Sequence, residues 1–263
     1  VGLFDQGGDA AGGAEQPQDT SQLLERAAAA FDAGDYAAAE PLFAEAVRVL
    51  SDQPAHGPEE GAELTFQVIA VCMMLARARE HLGDDSGAQS AATTAESAVR
   101  DLVDVDRLDE IARRAPDLAR EYLSIADFLA ALAVKSMFAR MDDESLDEPE
   151  LEGYLGWTGN AVGAFVLAAR GDPRPEVCTG LGRVLVRHAL VALTVNRLDE
   201  ALDHLDQAMG LMPDYEPQQW WFGTVREALD SIEAVQPGVL DRLAADSDLA
   251  RFRRGEVTEP GRD

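Results

Sequence analysis

Apolar residues recur along this chain every three or four positions, the spacing that gives a helix one face to bury. The clearest run is Leu185 to Pro213. Leu185, Ala189, Ala192 and Leu193 mark one helix there, and Ala201, Leu205 and Ala208 mark a second, with the join at Asn196 to Leu198. The same pattern comes earlier, where Leu23, Ala27, Ala30 and Phe31 precede Gly34-Asp35-Tyr36 and then Ala39, Phe43 and Ala46. Asp35 is placed to cap the second of those helices. Another pair runs from Ala62 to Leu82 through Phe66, Ile69, Cys72, Met73 and Ala76, turns at Gly83-Asp84-Asp85, and returns through Ala88, Ala92, Ala95 and Val99. No helix of such a pair can bury its face alone, so the pairs must stack.

The remaining elements follow from the same period and its interruptions. Pro54 to Glu63 reads as a connection and Arg107 to Ala115 as a short helix. Asp117 to about Arg140 is apolar on nearly every side, so it is expected at the centre. A helix from Glu150 to Arg170 carries Gly153, Gly156, Gly159 and Gly163, which implies a kink or close backbone packing. Pro217 opens a helix through Trp220, Trp221, Val225, Leu229 and Ile232. Pro237 ends it and begins a last amphipathic helix with Leu240, Leu243, Leu249 and Phe252. Residues 1–20 lack periodicity and read as a disordered tail, residues 255–263 read as a second tail, and residues 21–254 are left as one helical domain. The expected class is all-α, an irregular α-solenoid of antiparallel helical hairpins.

Charge narrows the partners. With 49 acidic against 22 basic residues the formal charge is −27, which opposes wrapping nucleic acid or lying on an anionic membrane. A basic partner surface is the better match. Cys72 and Cys178 sit on apolar helical faces and read as buried free thiols. The most apolar stretch, Ile125 to Met141, is interrupted by Asp127, Lys135 and Arg140, so no run is expected to span a membrane. A cytoplasmic location is the expectation.

The three hairpins resemble the tetratricopeptide repeat, TPR, a helix-turn-helix unit with small residues at its helix crossing. The resemblance rests on Ala189, Ala201, Leu205, Ala208 and Pro213 in one hairpin and on Ala27, Gly34, Tyr36, Ala39, Phe43 and Ala46 in another. In the third it rests on Leu75, Ala76, Gly83, Ala88 and Ala95. Ala39 and Ala88 lie 49 positions apart against a family period of 34, and the middle helices match poorly, so the array is degenerate. The resemblance implies a groove lined by the first helix of each unit: Leu24, Ala28 and Phe31, then Met73, Arg77 and Glu80, then Val186, Leu190 and Leu193. Only Arg77 is basic among these. A clamp for a partner's terminal carboxylates is therefore not implied, and an apolar helix or extended peptide with basic flanks is.

Candidate chemistry is sparse. Asp142, Asp143 and Asp147 form an acidic run that could hold magnesium in an all-α enzyme, but no second metal motif accompanies it. Glu200 and His204 stand four apart on one helix, a metal-compatible spacing that lacks further ligands, while His188 lies on the preceding helix and His56 in a loop. No cofactor loop and no activated serine or cysteine is found. Trp220, Trp221 and Phe222 cannot all face one core, since successive helical residues point about 100° apart. At least one of them is a candidate surface anchor, or the cluster lines a ligand pocket. Arg242, Arg251, Arg253 and Arg254 make a basic end that either pairs with the acidic body or contacts a partner. The leading expectation is a non-enzymatic protein-binding scaffold, and the alternative is a ligand-sensing regulatory module.

Overall fold

The computed structural model describes residues 20–54, 56–102, 104–143, 146–211 and 219–256. Their structure is all-α, with no strand among the described residues. The helices are α1 (Thr20–Asp32), α2 (Tyr36–Ser51), α3 (Pro58–His81), α4 (Asp85–Leu102), α5 (Leu108–Arg114), α6 (Pro116–Asp143), α7 (Glu148–Gly171), α8 (Pro175–Thr194), α9 (Leu198–Leu211), α10 (Gln219–Val235) and α11 (Asp248–Arg253). Residues 1–19 and 257–263, which hold nearly all of both expected tails, lie outside the described residues, as do Pro213 and Pro217.

The turns α1–α2, α3–α4 and α8–α9 share one construction. Each has a left-handed residue, Gly34 at φ 76°, Gly83 at φ 77° and Asn196 at φ 59°. In each, that residue's N–H bonds back three positions and the next N–H bonds back five: Asp35 to Ala30 O at 2.9 Å, Asp84 to Arg79 O at 2.9 Å, Arg197 to Ala192 O at 2.8 Å. This is a Schellman closure, which satisfies carbonyls the helix end leaves unpaired. The aspartate after each glycine then caps the next helix, Asp35 accepting from Ala38 N and Asp84 from Gly87 N. Register repeats too. The residues seven before and five, nine and twelve after the left-handed position are Ala27, Ala39, Phe43 and Ala46; Ala76, Ala88, Ala92 and Ala95; and Ala189, Ala201, Leu205 and Ala208, all buried. Small side chains at these crossings let the paired backbones approach closely.

Packing mostly follows chain order. α1 packs on α2, α2 on α3, and α3 on α4, and then α4 meets α6. The short α5 wedges against α6 and α7, and α6 also contacts α7 and α8, the central place its apolar composition calls for. Tyr122, Ile125, Leu129, Leu132 and Met137 of α6 are all buried. One group of buried apolar residues runs from α1 to the first half of α8, and a second joins α8 to α11, with Val162 and Leu181 packed against both.

Ion pairs tie neighbours across these layers: Arg79 to Glu40 at 2.8 Å, Lys135 to Asp85 at 2.8 Å, Arg140 to Glu150 at 2.6 Å, and Asp127 to both Arg187 and Arg183.

Four expectations are corrected. α3 begins at Pro58 inside the expected connection, because proline suits a first helical turn where its missing N–H costs nothing. The last amphipathic helix is instead a 3-10 turn, Val239–Arg242, and the short α11, since Ser247 restarts the helix by accepting from Ala250 N. The four glycines inside α7 produce no break: a Cβ would meet open space at Gly153, Gly156 and Gly163 and ordinary contact with the His188 ring at Gly159, and the close backbone approach is instead at the helix's last residue, Gly171, against Asp109. Finally, Glu60–His81, Pro116–Met141 and Pro175–Thr194 are each long and apolar enough to cross a membrane by length and composition.

Candidate functional site

Apolar surface concentrates at one place. Among the described residues the exposed large apolar side chains are Phe66, Leu82, Phe138, Met141 and Val235. Three of these, Phe138, Met141 and Val235, line a half-open cavity of about 530 Å³. Its walls come from the C-terminal end of α6, the outer side of α8 and one face of α10, with Leu190, Leu193, Ala228 and Ile232 forming much of the apolar lining. Thr194, Asn196, Thr224, Glu227, Ser231 and Gln236 supply the polar lining, in which Glu227 is the charged side chain. Val235 is 76% exposed, an expensive position for a β-branched apolar side chain with nothing over it.

The residues expected to form a groove do not all meet here. Leu190 and Leu193 do line the cavity. Val186, on the same helix, is fully buried and offers no surface, because it faces the second core group. Met73 is likewise buried on α3, whereas Arg77 is exposed and Glu80 half-buried. Leu24 and Ala28 are half-buried and exposed. Phe31 belongs to an aromatic cluster with Tyr36 at 5.1 Å and His81 at 6.3 Å, in which Tyr36 and His81 stack at 4.1 Å. The cavity's other members, Phe138, Met141, Ile232 and Val235, were not legible as a site in the sequence. For Phe138 and Met141 the signal was the excess of apolar residues on α6 beyond what one buried face needs; Ile232 and Val235 are on α10.

A second cluster lies where α7, α8 and α9 meet. His188 of α8, 5% exposed, places Nε2 3.0 Å from Glu200 Oε1 and Nδ1 2.8 Å from the buried Thr158 hydroxyl. Its ring meets that of His204 edge-on at 4.8 Å. The ligand atoms of His188, Glu200 and His204 all lie within 4.8 Å of one another. The hydrogen bond from His188 holds the Glu200 carboxyl below its usual range, and burial pushes the His204 imidazole below its own. The Glu200–His204 pair seen in the sequence therefore has a third donor, supplied by the hairpin register.

No protein-family model matches this chain, and no curated protein matches it. Function is accordingly read from the site alone.

The other candidates resolve as follows. Asp147 caps α7, accepting from Glu150 N while the Glu150 side chain accepts from Asp147 N, a reciprocal capping box. The side chains of Asp142 and Asp143 lie outside the described residues, as do those of Trp220 and Trp221. Phe222 is buried and packs on Phe252 at 5.6 Å, so it is no surface anchor. The basic end pairs locally, Arg251 with Asp248, Arg253 with Asp241 and Arg254 with Glu256. Cys72 and Cys178 are free and buried, as expected.

Proposed function

We propose that this protein is a non-enzymatic helical scaffold that holds an apolar segment of another protein in the cleft between α6, α8 and α10. The observation that carries the reading is the gathering of Phe138, Met141 and Val235, all exposed, around one apolar cavity. Contiguous exposed apolar surface of this kind is what a partner helix covers. The strong acidity of the chain, −27 overall, favours a partner segment with basic flanks and disfavours nucleic acid. The shared turn and register of the three hairpins support a degenerate TPR-like solenoid as the architecture. A cytoplasmic location is part of the same proposal.

Panning a random peptide display library on the 263-residue chain, with counter-selection on Leu193→Asp, tests this. Enrichment of amphipathic peptides with apolar residues at helical spacing between basic flanks supports the proposal. Enrichment of polar or acidic peptides, or of peptides that hold Leu193→Asp equally well, overturns it. A small-molecule sensor is the second reading, because about 530 Å³ also suits a drug-sized ligand. A hit from a metabolite panel that leaves peptide selection empty would favour it.

A further inference from the structure

We propose that His188, Glu200 and His204 bind a borderline divalent transition ion of the zinc class, which clips α8 to α9. The case begins with hydrogen bonds. The Thr158 hydroxyl lies 3.1 Å from Tyr154 O, 3.2 Å from Leu155 O and 2.8 Å from His188 Nδ1. In the arrangement that favours a metal, its single proton goes back to its own helix and its lone pair accepts the Nδ1–H of His188. That leaves the Nε2 lone pair of His188 facing a carboxylate oxygen of Glu200 at 3.0 Å. Two lone pairs at this distance need a positive centre between them, either a proton or a metal ion. A ligating histidine whose second nitrogen donates to a fixed acceptor is the usual second shell of a metal site.

His204 supplies an independent observation. Its Nδ1 is shielded from solvent and has no hydrogen-bond partner. A buried imidazole nitrogen left unsatisfied costs free energy, which coordination recovers where Nδ1 is the ligating nitrogen. Meanwhile Arg197, at 2.6 Å from Glu152, reaches Glu200 Oε2 at 3.5 Å and leaves Oε1 turned to the histidines. Two imidazoles and one carboxylate suit zinc, whereas calcium and magnesium take oxygen donors. Donors at about 2.1 Å from a tetrahedral ion stand about 3.4 Å apart. With all three ligand atoms already within 4.8 Å, the widest pair closes by side-chain rotation. A fourth position stays open for water.

The fold alone does not ask for this trio. Positions eight before and four and eight after the left-handed residue hold His188, Glu200 and His204 in the third hairpin. The same positions hold Arg26, Ala38 and Leu42 in the first and Leu75, Gly87 and Ala91 in the second. The same turn and crossing form there without any of the three side chains.

The test is titration of the chelator-stripped 263-residue chain with Co²⁺ and then Zn²⁺, read by visible absorption and calorimetry. One equivalent of Co²⁺ should give the intense ligand-field bands of a low-coordinate nitrogen site, and one equivalent of Zn²⁺ should abolish them. His204→Gln and Glu200→Gln should each weaken Zn²⁺ at least about 100-fold, Thr158→Val about 10-fold or more, and His56→Gln not at all. Circular dichroism confirms folding, and Glu200→Gln at its half-exposed position carries the test if His204→Gln does not fold. The proposal is overturned if the wild-type chain gives no such bands, or if a folded ligand variant binds Zn²⁺ as tightly as wild type.

Discussion

Replacing glycine by alanine should shift stability in opposite directions in a left-handed turn and inside an open helical face. At Gly83, φ is 77° and nothing lies within 4 Å of the place a Cβ would take. Gly83→Ala therefore meets no neighbour, and its whole cost is an L residue held left-handed, about 1–2 kcal/mol. At Gly156 the space is equally open but the backbone is helical. There alanine narrows the unfolded ensemble and improves helix propensity, a gain of about 0.5–1 kcal/mol. Gly180 is a third kind, helical but with a Cβ that would overlap the buried Phe165 ring, so Gly180→Ala should cost about 1–3 kcal/mol through packing. For a chain of this length each kcal/mol moves the thermal midpoint by about 2–4 °C. Gly83→Ala and Gly156→Ala should thus differ by about 3–12 °C. Thermal and urea unfolding followed by far-UV circular dichroism reads this directly. The reasoning is refuted if Gly83→Ala melts with wild type, or if Gly156→Ala melts below it.

Other consequences concern buried and capped groups. Burial pushes the Cys72 thiol from its usual 9.0 up to about 11. Its contribution to stability is fully present below the unfolded value and is lost as pH rises through the folded one. Native protein should therefore react with a thiol reagent at pH 9 far more slowly than urea-unfolded protein, and equal rates would contradict the burial. Asp127→Ala leaves Arg183 and Arg187 facing each other without their shared carboxylate, and it should cost about 3 kcal/mol in urea unfolding. Removal of the exposed Glu45–Arg48 pair should leave the midpoint unchanged. Asp147→Ala breaks the capping box and should cost about 1 kcal/mol, with magnesium giving no thermal protection to either protein.

Much of the fold was legible because its turns are local. Gly34, Gly83 and Asn196 announce left-handed residues between two periodic runs, and Asp35 announces the next cap, all within a few positions of one another. The short helix after Arg107 and the helix after Pro116 were legible for the same reason. The fate of Pro237 to Phe252 was not, because four apolar residues at near-helical spacing also fit a 3-10 turn plus one helical turn. Ser247, which decides between them, acts through a single hydrogen bond. The cavity and the histidine cluster were hidden for a different reason. The cavity depends on helices distant in sequence, Phe138 and Ile232 lining it from 94 positions apart, and the cluster on the register by which α8 crosses α9 and α7. Periodicity states that a face is buried without stating what covers it.

The central claim is that the cleft between α6, α8 and α10 holds a partner's apolar helix. Calorimetry of the strongest display-selected peptide tests it most directly, on wild type, on Leu193→Asp and on Phe66→Asp. Phe66 is an exposed apolar side chain on α3, outside the residues lining the cavity. Leu193→Asp should raise the dissociation constant at least about 30-fold, the loss of one anchor worth about 2 kcal/mol, while Phe66→Asp leaves it unchanged. Equal binding to Leu193→Asp and wild type, or loss of binding with Phe66→Asp, would contradict the account.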